Sequence, residues 1–368
     1  MNYYPLFEEF PGLAKSIALI PLGQYPTPVQ PMDKIGNSLD LRSLWVKRDD
    51  LDSDEFSGNK IRVMELLLGD AKKRGCDILV SMGALGSNQI LSSVIFGRKL
   101  GFDVEGVYFK QPLHGYVKRH LLMGSSLGTK MFLSPSPGLT PFYAGYRYVK
   151  ARINGRKPYF IPTFGSHPLC VLGYVNAGIE FVRQVRQGLC PAPEVVYVTL
   201  GTGGTYAGIL LAFELMGLRA TVIGVRITDL IVSNEYIIAN ILNRTVKFMK
   251  KHGAEIPDLK FKRWKVVIEH GFFGGQYALS TPQAEKAIKR VWDKENLILD
   301  STYTGKTFAC LLNHSEKGLL KGKNVLYWHT LNGVDLKGRI KGISLDGLPE
   351  KIRRYAYLCG EDCDSVGF

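Results

Sequence analysis

The feature that most constrains this chain is an alternation. Short runs rich in β-branched and aromatic residues recur along it: "LWVKRD" (44–49), "DILVSMG" (77–83), "VEGVYFK" (104–110), "TKMFLS" (129–134), "PYFIPT" (158–163), "EVVYVTLG" (194–201), "ATVIGVRIT" (220–228) and "NVLYWHT" (324–330). Between several of them the apolar period lengthens to that of a helix. "NKIRVMELLLGDAKKRG" places Ile61, Met64, Leu67 and Leu68 on one face, and "LGYVNAGIEFVRQVRQG" (172–188) is a second amphipathic segment. Strands alternating with helices pack as parallel sheets joined by right-handed crossovers. The expected class is therefore α/β, with open, twisted, mostly parallel sheets flanked by helices. A length of 368 residues suggests two domains rather than one.

In such sheets, ligands bind beyond the carboxyl ends of strands, where a loop feeds a helix. "TLGTGGTYAGILLA" (199–212) fits that placement. Its glycines 201, 203, 204 and 208 let backbone N–H groups turn inward, and its threonines add hydroxyls, which suits a phosphate. It is not the dinucleotide pattern, because Tyr206 stands where the last glycine is needed, and no GK[ST] follows to make a Walker loop. "SMGALGSNQILSS" (81–93) has the same placement, with Ser87, Asn88 and Gln89 at a helix start. Taken alone it reads as an ordinary N-cap. "DEFSGNKIRV" brings Lys60 to the mouth of a helix, and "LILDSTYTGKTF" (297–308) sets Tyr303 ahead of another.

As an ordered set these stretches resemble the fold-type II, tryptophan synthase β-like pyridoxal-phosphate enzymes. Within them the chain is most similar to the 1-aminocyclopropane-1-carboxylate (ACC) deaminase/D-cysteine desulfhydrase family. The likeness runs from "LWVKRDDL" through "SGNKIR", "GALGSNQ", "YFIPTFGSHPLCVLGYVNAGIEF", "GTGGTYAG", "GGQYALS" and "DSTYTGK" to "YWHTLNG". The resemblance implies pyridoxal 5′-phosphate as cofactor and Lys60 as the Schiff-base lysine. It implies that Asn88 meets the ring hydroxyl oxygen, and that Ser87, with Gln89, faces the substrate carboxylate. It further implies that Gly201, Thr202, Gly203, Gly204 and Thr205 hold the phosphate, that Tyr277 and Tyr303 approach the substrate, and that Thr330 faces the pyridine nitrogen. The implied architecture is a small inserted domain over 62–172 and a discontinuous large domain over 1–61 and 173–368, in a homodimer.

Two positions bear on the reaction. ACC deaminases follow the active-site tyrosine with a glutamate, where this chain has Thr304, and tend to carry leucine where it has Thr330. Neutral hydroxyls leave the cofactor ring a weaker electron sink than a carboxylate does, which suits β-elimination. The expected activity is D-cysteine desulfhydrase-like, giving pyruvate, hydrogen sulfide and ammonia. The alternatives are ACC deaminase, a cysteate sulfo-lyase, or a cofactor-binding member without turnover. The chain departs from the family at Val63, where a second lysine is usual, at Gly86, where glutamine is common, and in "HTLNG", where "HTGG" is usual.

The remaining features point to bland roles. Net charge is +14, yet the densest basic cluster (249–265) lacks zinc-finger spacing or an aromatic RNA-binding motif and reads as a solvated face, with no nucleic-acid partner. Six cysteines lie at 76, 170, 190, 310, 359 and 363, mostly in apolar runs, and only Cys359 and Cys363 are close enough for a local disulfide. His114, His120, His167, His270 and His329 show no ligand spacing such as HExxH, so no metal is expected. "GSSLG" (124–128) matches G-x-S-x-G around Ser126, but with a helix before it and a strand after, the reverse of a nucleophile elbow. With no basic-then-apolar leader and no membrane-length apolar run, the expectation is a cytoplasmic protein that acts on a small amino acid.

Overall fold

The computed structural model describes residues 3–112, 114–163, 165 and 167–358. Contacts divide the chain into two compact units, Met1–Leu66 with Phe164–Gly333, and Leu67–Thr163 with Val334–Phe368. Among the described residues, ten strands form two sheets: β1 (Val29–Pro31), β2 (Ser43–Arg48), β3 (Ile78–Ala84), β4 (Asp103–Phe109), β5 (Lys130–Leu133), β6 (Pro158–Phe160), β7 (Val195–Leu200), β8 (Thr221–Arg226), β9 (Val267–Glu269) and β10 (Asn324–His329).

The first unit holds a six-stranded sheet in the order β1-β2-β10-β7-β8-β9. Only β1 runs antiparallel to its neighbour, and the rest of the sheet is parallel. Register pairs Tyr327 of β10 with Val46 of β2 on one side and Tyr197 of β7 on the other. Strands that are distant in sequence therefore end at one carboxyl edge. The side chains of Leu44, Val46, Tyr197, Val225, Val325 and Tyr327 pack on one sheet face with Phe308 and Leu311 of the helix Thr304–Glu316. Each such side chain contributes about 1.5–3 kcal/mol by leaving water.

The second unit holds an all-parallel sheet, β5-β4-β3-β6. Val80, Val107 and Ala144 form its central cluster, backed by Met82, Phe132 and Phe160. The expected inserted domain, 62–172, kept the C-terminal segment with the large domain. The structure groups the chain from Val334 onward with the second unit instead, because Tyr355 donates to the Gln111 carbonyl and Ile352 and Ala356 are buried.

All eight predicted strands are present, with ends trimmed by up to three residues or extended by one. The edge strands β1 and β9, each three residues long, were not among the predicted runs. Ser126 closes the helix Gly115–Ser126 and donates to Met123 O at 2.9 Å, with β5 following it, so no nucleophile elbow exists there. In the basic run, Lys250 pairs with Asp258 at 3.0 Å and Lys265 with Glu214 at 3.5 Å, both exposed. Among the described residues, no helix is long and apolar enough to cross a membrane. Cys359 and Cys363 lie outside the described residues.

Candidate active site

Lys60 closes the loop that leads from β2 into the helix Ile61–Lys73, and this loop is fastened to the residues after β10. Asn332 Oδ1 accepts hydrogen bonds from Ser57 N (2.9 Å) and Ser57 Oγ (3.3 Å), while Gly333 N donates to Ser57 Oγ (2.7 Å). Asn59 N donates to Thr330 O at 3.3 Å. Gly58 makes the turn at φ +86°, and a Cβ there would lie 2.5 Å from Leu331 O and 2.7 Å from Thr330 O. Only glycine meets both demands. Asn332, the departure from "HTGG", is thus the residue that fastens Ser57.

The glycine loop follows β7 at the same sheet edge. Gly203 adopts φ +94° and opens the helix Gly204–Met216, which no side chain caps. The first N–H groups of a helix lack intrahelical acceptors and carry the positive end of its dipole, so this start suits a phosphate. Thr228 Oγ1 donates to Gly201 O at 3.3 Å. Asn59 Nδ2 donates to Thr205 Oγ1 at 3.1 Å and so ties the lysine loop directly to the glycine loop. A Cβ on Gly165 would overlap Thr202 O, so a third segment backs the loop at backbone distance.

Tyr277 and Tyr303 share a short hydroxyl–hydroxyl hydrogen bond, with their rings edge to face at 6.2 Å. Burial raises the Tyr277 phenol, and the bond from Tyr303 offsets part of that. The turn that carries Tyr303 is built on Asp300, whose carboxylate accepts from Thr302 N (3.0 Å), Tyr303 N (2.8 Å), Thr304 N (2.9 Å) and Thr304 Oγ1 (2.6 Å). Thr304 is therefore spent on the turn and does not face a ligand. Thr330 is buried, and its carbonyl is the acceptor used by Asn59.

Lys60 is partly buried, and burial lowers its ammonium to about 8, with Cys170 opposing slightly. A neutral amine is then within reach of neutral pH, as covalent chemistry at nitrogen requires. Immediately after it lies a buried ionic network that sequence reasoning missed. Glu180 Oε1 accepts from Lys47 Nζ (2.5 Å), Thr27 N (3.0 Å) and Arg62 (3.1 Å), and its Oε2 accepts from Arg62 (3.0 Å). Asp49 accepts from Arg62 (2.9 Å), Thr27 Oγ1 (2.9 Å), Tyr174 OH (2.8 Å) and Trp328 Nε1 (2.7 Å). Burial alone would raise the Glu180 carboxyl, but Arg62 and Lys47 outweigh it and bring it to about 2. Burial still leaves the Lys47 ammonium below its usual range, so the favourable balance belongs to Glu180 with Arg62 more than to Lys47.

Ser87, Asn88 and Gln89 lie in the second unit, at the start of the helix Asn88–Lys99. Ser87 Oγ accepts from Ile90 N at 3.3 Å, the N-cap expected of the bare sequence, and keeps its O–H to donate. Gln89 Nε2 is buried without a partner. The space beside Gly86, where the family commonly has glutamine, is taken by Tyr116. A Cβ at 86 would strike that ring, and Gln111 holds the arrangement by accepting from Gly86 N (3.1 Å) and donating to Tyr116 OH (2.8 Å).

Within the first unit, Ser280 Oγ, Thr302 Oγ1 and His329 Nδ1 are also buried without partners, each within three residues of Tyr277, Tyr303 or Thr330. Orphaned buried polar atoms are rare, and these three stand beside the tyrosine and Thr330 segments, while others in the unit lie elsewhere, at Tyr4, Tyr25, Asp52, Arg62, Glu65 and Asn176. Together with a low-pKa amine and an uncapped helix start, this donor set fits pyridoxal phosphate. Lys306 was also missed. It is fully buried, burial lowers it to about 8, and its Nζ donates to Phe273 O at 2.6 Å, pinning the start of the Tyr277 loop.

Residues 20–330 match the family described as "Pyridoxal-phosphate dependent enzyme". A Pyrococcus abyssi protein named "Putative 1-aminocyclopropane-1-carboxylate deaminase" is 32% identical over 326 residues, 88% of this chain and 92% of its own. The D-cysteine desulfhydrase of Klebsiella pneumoniae is 28% identical over 311 residues, 83% of this chain and 91% of its own. The crystal structure of an ACC deaminase homologue superimposes with a TM-score of 0.75 at 27% identity, covering 90% of this chain and 95% of that one.

Proposed function

The chain belongs to the pyridoxal-phosphate dependent enzyme family, and on that premise we propose that it catalyses α,β-elimination on a small amino acid, D-cysteine first, with Lys60 as the cofactor lysine. The observation that carries the reading is that, among the described residues, the groups beside Tyr303 are committed to each other, and the nearby Asp50 carboxylate is paired with Arg48 at 2.7 Å. Thr304 stands where ACC deaminases have glutamate, its hydroxyl is held by Asp300, and Asp300 itself already accepts four hydrogen bonds. Thr330 is left as the neutral group assigned to the ring nitrogen.

The bound cofactor supplies an electron sink that acidifies the substrate Cα proton. Lys60 Nζ takes that proton, which its lowered pKa permits near neutral pH. A phenol of the Tyr277–Tyr303 pair gives its proton to the departing sulfur. Gly201, Thr202, Gly203, Gly204 and Thr205 hold the phosphate, Asn88 serves the ring hydroxyl, and Ser87 with Gln89 serves the substrate carboxylate. The sum is D-cysteine plus water giving pyruvate, hydrogen sulfide and ammonia. We further propose that the protein is a cytoplasmic homodimer, and light scattering on the purified holoenzyme checks the dimer. The ACC deaminase reading stands second, favoured by the name of the Pyrococcus relative.

The experiment compares visible absorbance of wild-type and Lys60→Ala protein with pyridoxal phosphate, then assays pyruvate, 2-oxobutyrate, sulfide and sulfite from D-cysteine, L-cysteate and ACC. A Lys60-dependent band with pyruvate and sulfide from D-cysteine is expected. 2-Oxobutyrate from ACC would select the second reading, and elimination retained by Lys60→Ala would overturn the assignment of Lys60.

A further inference from the structure

A second constellation lies apart from Lys60 and is not used by the elimination. Cys310 and His314 occupy successive turns of one face of the helix Thr304–Glu316, and Glu269 ends β9 opposite them. His314 Nε2 is 3.8 Å from Cys310 Sγ and 3.4 Å from Glu269 Oε1, and the three ligand atoms lie within 4.8 Å of one another. Ligands on one tetrahedral zinc ion, at about 2.0–2.3 Å each, stand roughly 3.3–3.7 Å apart. The triad is thus near coordination spacing before any metal enters. The other imidazole nitrogen, Nδ1, is bonded to Tyr197 OH at 2.6 Å, the outer-shell partner that fixes a metal-ligating histidine.

The surroundings supply access and a free position. Glu269 and His314 line an open pocket of about 480 Å³, together with Thr281, Gln283, Asn313 and Lys317. Cys310 is buried behind them and His314 nearly so, while Glu269 is part-exposed. Lys317 is the adverse charge, but it is exposed and its stem is free to carry the ammonium outward.

We propose that Glu269, Cys310 and His314 bind one thiophilic divalent cation of the zinc class, leaving a fourth position open to the pocket. On binding, Cys310 Sγ releases its proton to solvent and bonds the metal as thiolate, joined by neutral His314 Nε2 and a Glu269 carboxylate oxygen. The ion joins two segments. Glu269 precedes the loop that carries Tyr277, and Cys310 and His314 lie on the helix whose N-cap is Tyr303. Metal occupancy therefore clamps the base of both tyrosine segments, a regulatory handle on them.

The test uses the holoenzyme, chelator-treated, desalted and titrated with Zn²⁺, reading bound metal by mass spectrometry and thermal midpoint by fluorescence, and with Co²⁺, reading ligand-field bands. Wild type is expected to retain one ion per chain, to rise in melting temperature with Zn²⁺, and to show tetrahedral cobalt–thiolate absorption. Cys310→Ser removes the thiolate band, Glu269→Gln, at a part-exposed position that does not threaten folding, weakens binding, and Tyr197→Phe weakens it by about 10–100-fold. Wild type that binds no more Zn²⁺ than Glu269→Gln, or Co²⁺ spectra without a Cys310-dependent band, would overturn the proposal.

Discussion

Replacing Glu180 by glutamine tests whether the buried network anchors the Lys60 loop. The carboxylate accepts four hydrogen bonds, from Thr27 N, Lys47 Nζ and two Arg62 nitrogens. A glutamine keeps the shape but puts an NH₂ where one oxygen stood, facing donors on Arg62 or Lys47. Breaking one partner of a buried ion cluster costs about 3–5 kcal/mol. The protonation equilibrium gives a similar figure. Glu180 at about 2 in the fold, against roughly 4.5 unfolded, corresponds to about 3 kcal/mol. A depressed carboxyl contributes stability above its unfolded pKa and loses it as pH falls toward the folded value. The gap between wild type and Glu180→Gln should be about 3–5 kcal/mol at pH 7 and narrow between pH 5 and pH 2. Guanidinium unfolding, followed by circular dichroism and by the tryptophan emission to which Trp328 contributes, reads both. A loss under about 1 kcal/mol at pH 7, or a gap insensitive to acid, refutes the reasoning.

Other outcomes follow from the same geometry. Gly58→Ala must take φ +86° and push against Leu331 O and Thr330 O, so it should lose about 2–4 kcal/mol and much of its cofactor affinity, read by denaturation and by titration with pyridoxal phosphate. Burial raises Glu65 to about 7, while its Oε1 accepts from Leu22 N and Gly23 N. A raised carboxyl favours the fold below its unfolded pKa of about 4.5, and that contribution is lost as pH climbs through about 7, so Glu65→Gln should match wild type near pH 4 and exceed it by up to about 3 kcal/mol above pH 8 in pH-dependent melts. Tyr303→Phe should keep the cofactor band while product formation drops about 10²–10⁴-fold in steady-state assays, and retention of full rate would remove the tyrosine pair from the chemistry.

The class of fold is legible in the order of residues, because alternating two- and near-four-residue apolar periods admit little besides parallel sheets with helical crossovers. The sequence also determined which stretches carry chemistry, since a glycine run after a strand and a lysine after Ser-Gly-Asn are local statements about backbone freedom and reactive groups. The order of strands in each sheet was decided only in three dimensions. Placing β10 between β2 and β7 brings residues around 58, 202 and 331 to one edge, and that is why Asn332, an oddity in the string, turns out to hold Ser57. The same is true of Glu180 and Arg62, which are 118 residues apart and look like surface charges on amphipathic helices until packing buries them against each other. Cys310 and His314 left a signal at four-residue spacing, but their third partner, Glu269, comes from a three-residue edge strand that no periodicity reveals. Period and composition describe what one element needs. Which charge meets which, and at what desolvation cost, depends on pairings between elements that the order of residues does not encode locally.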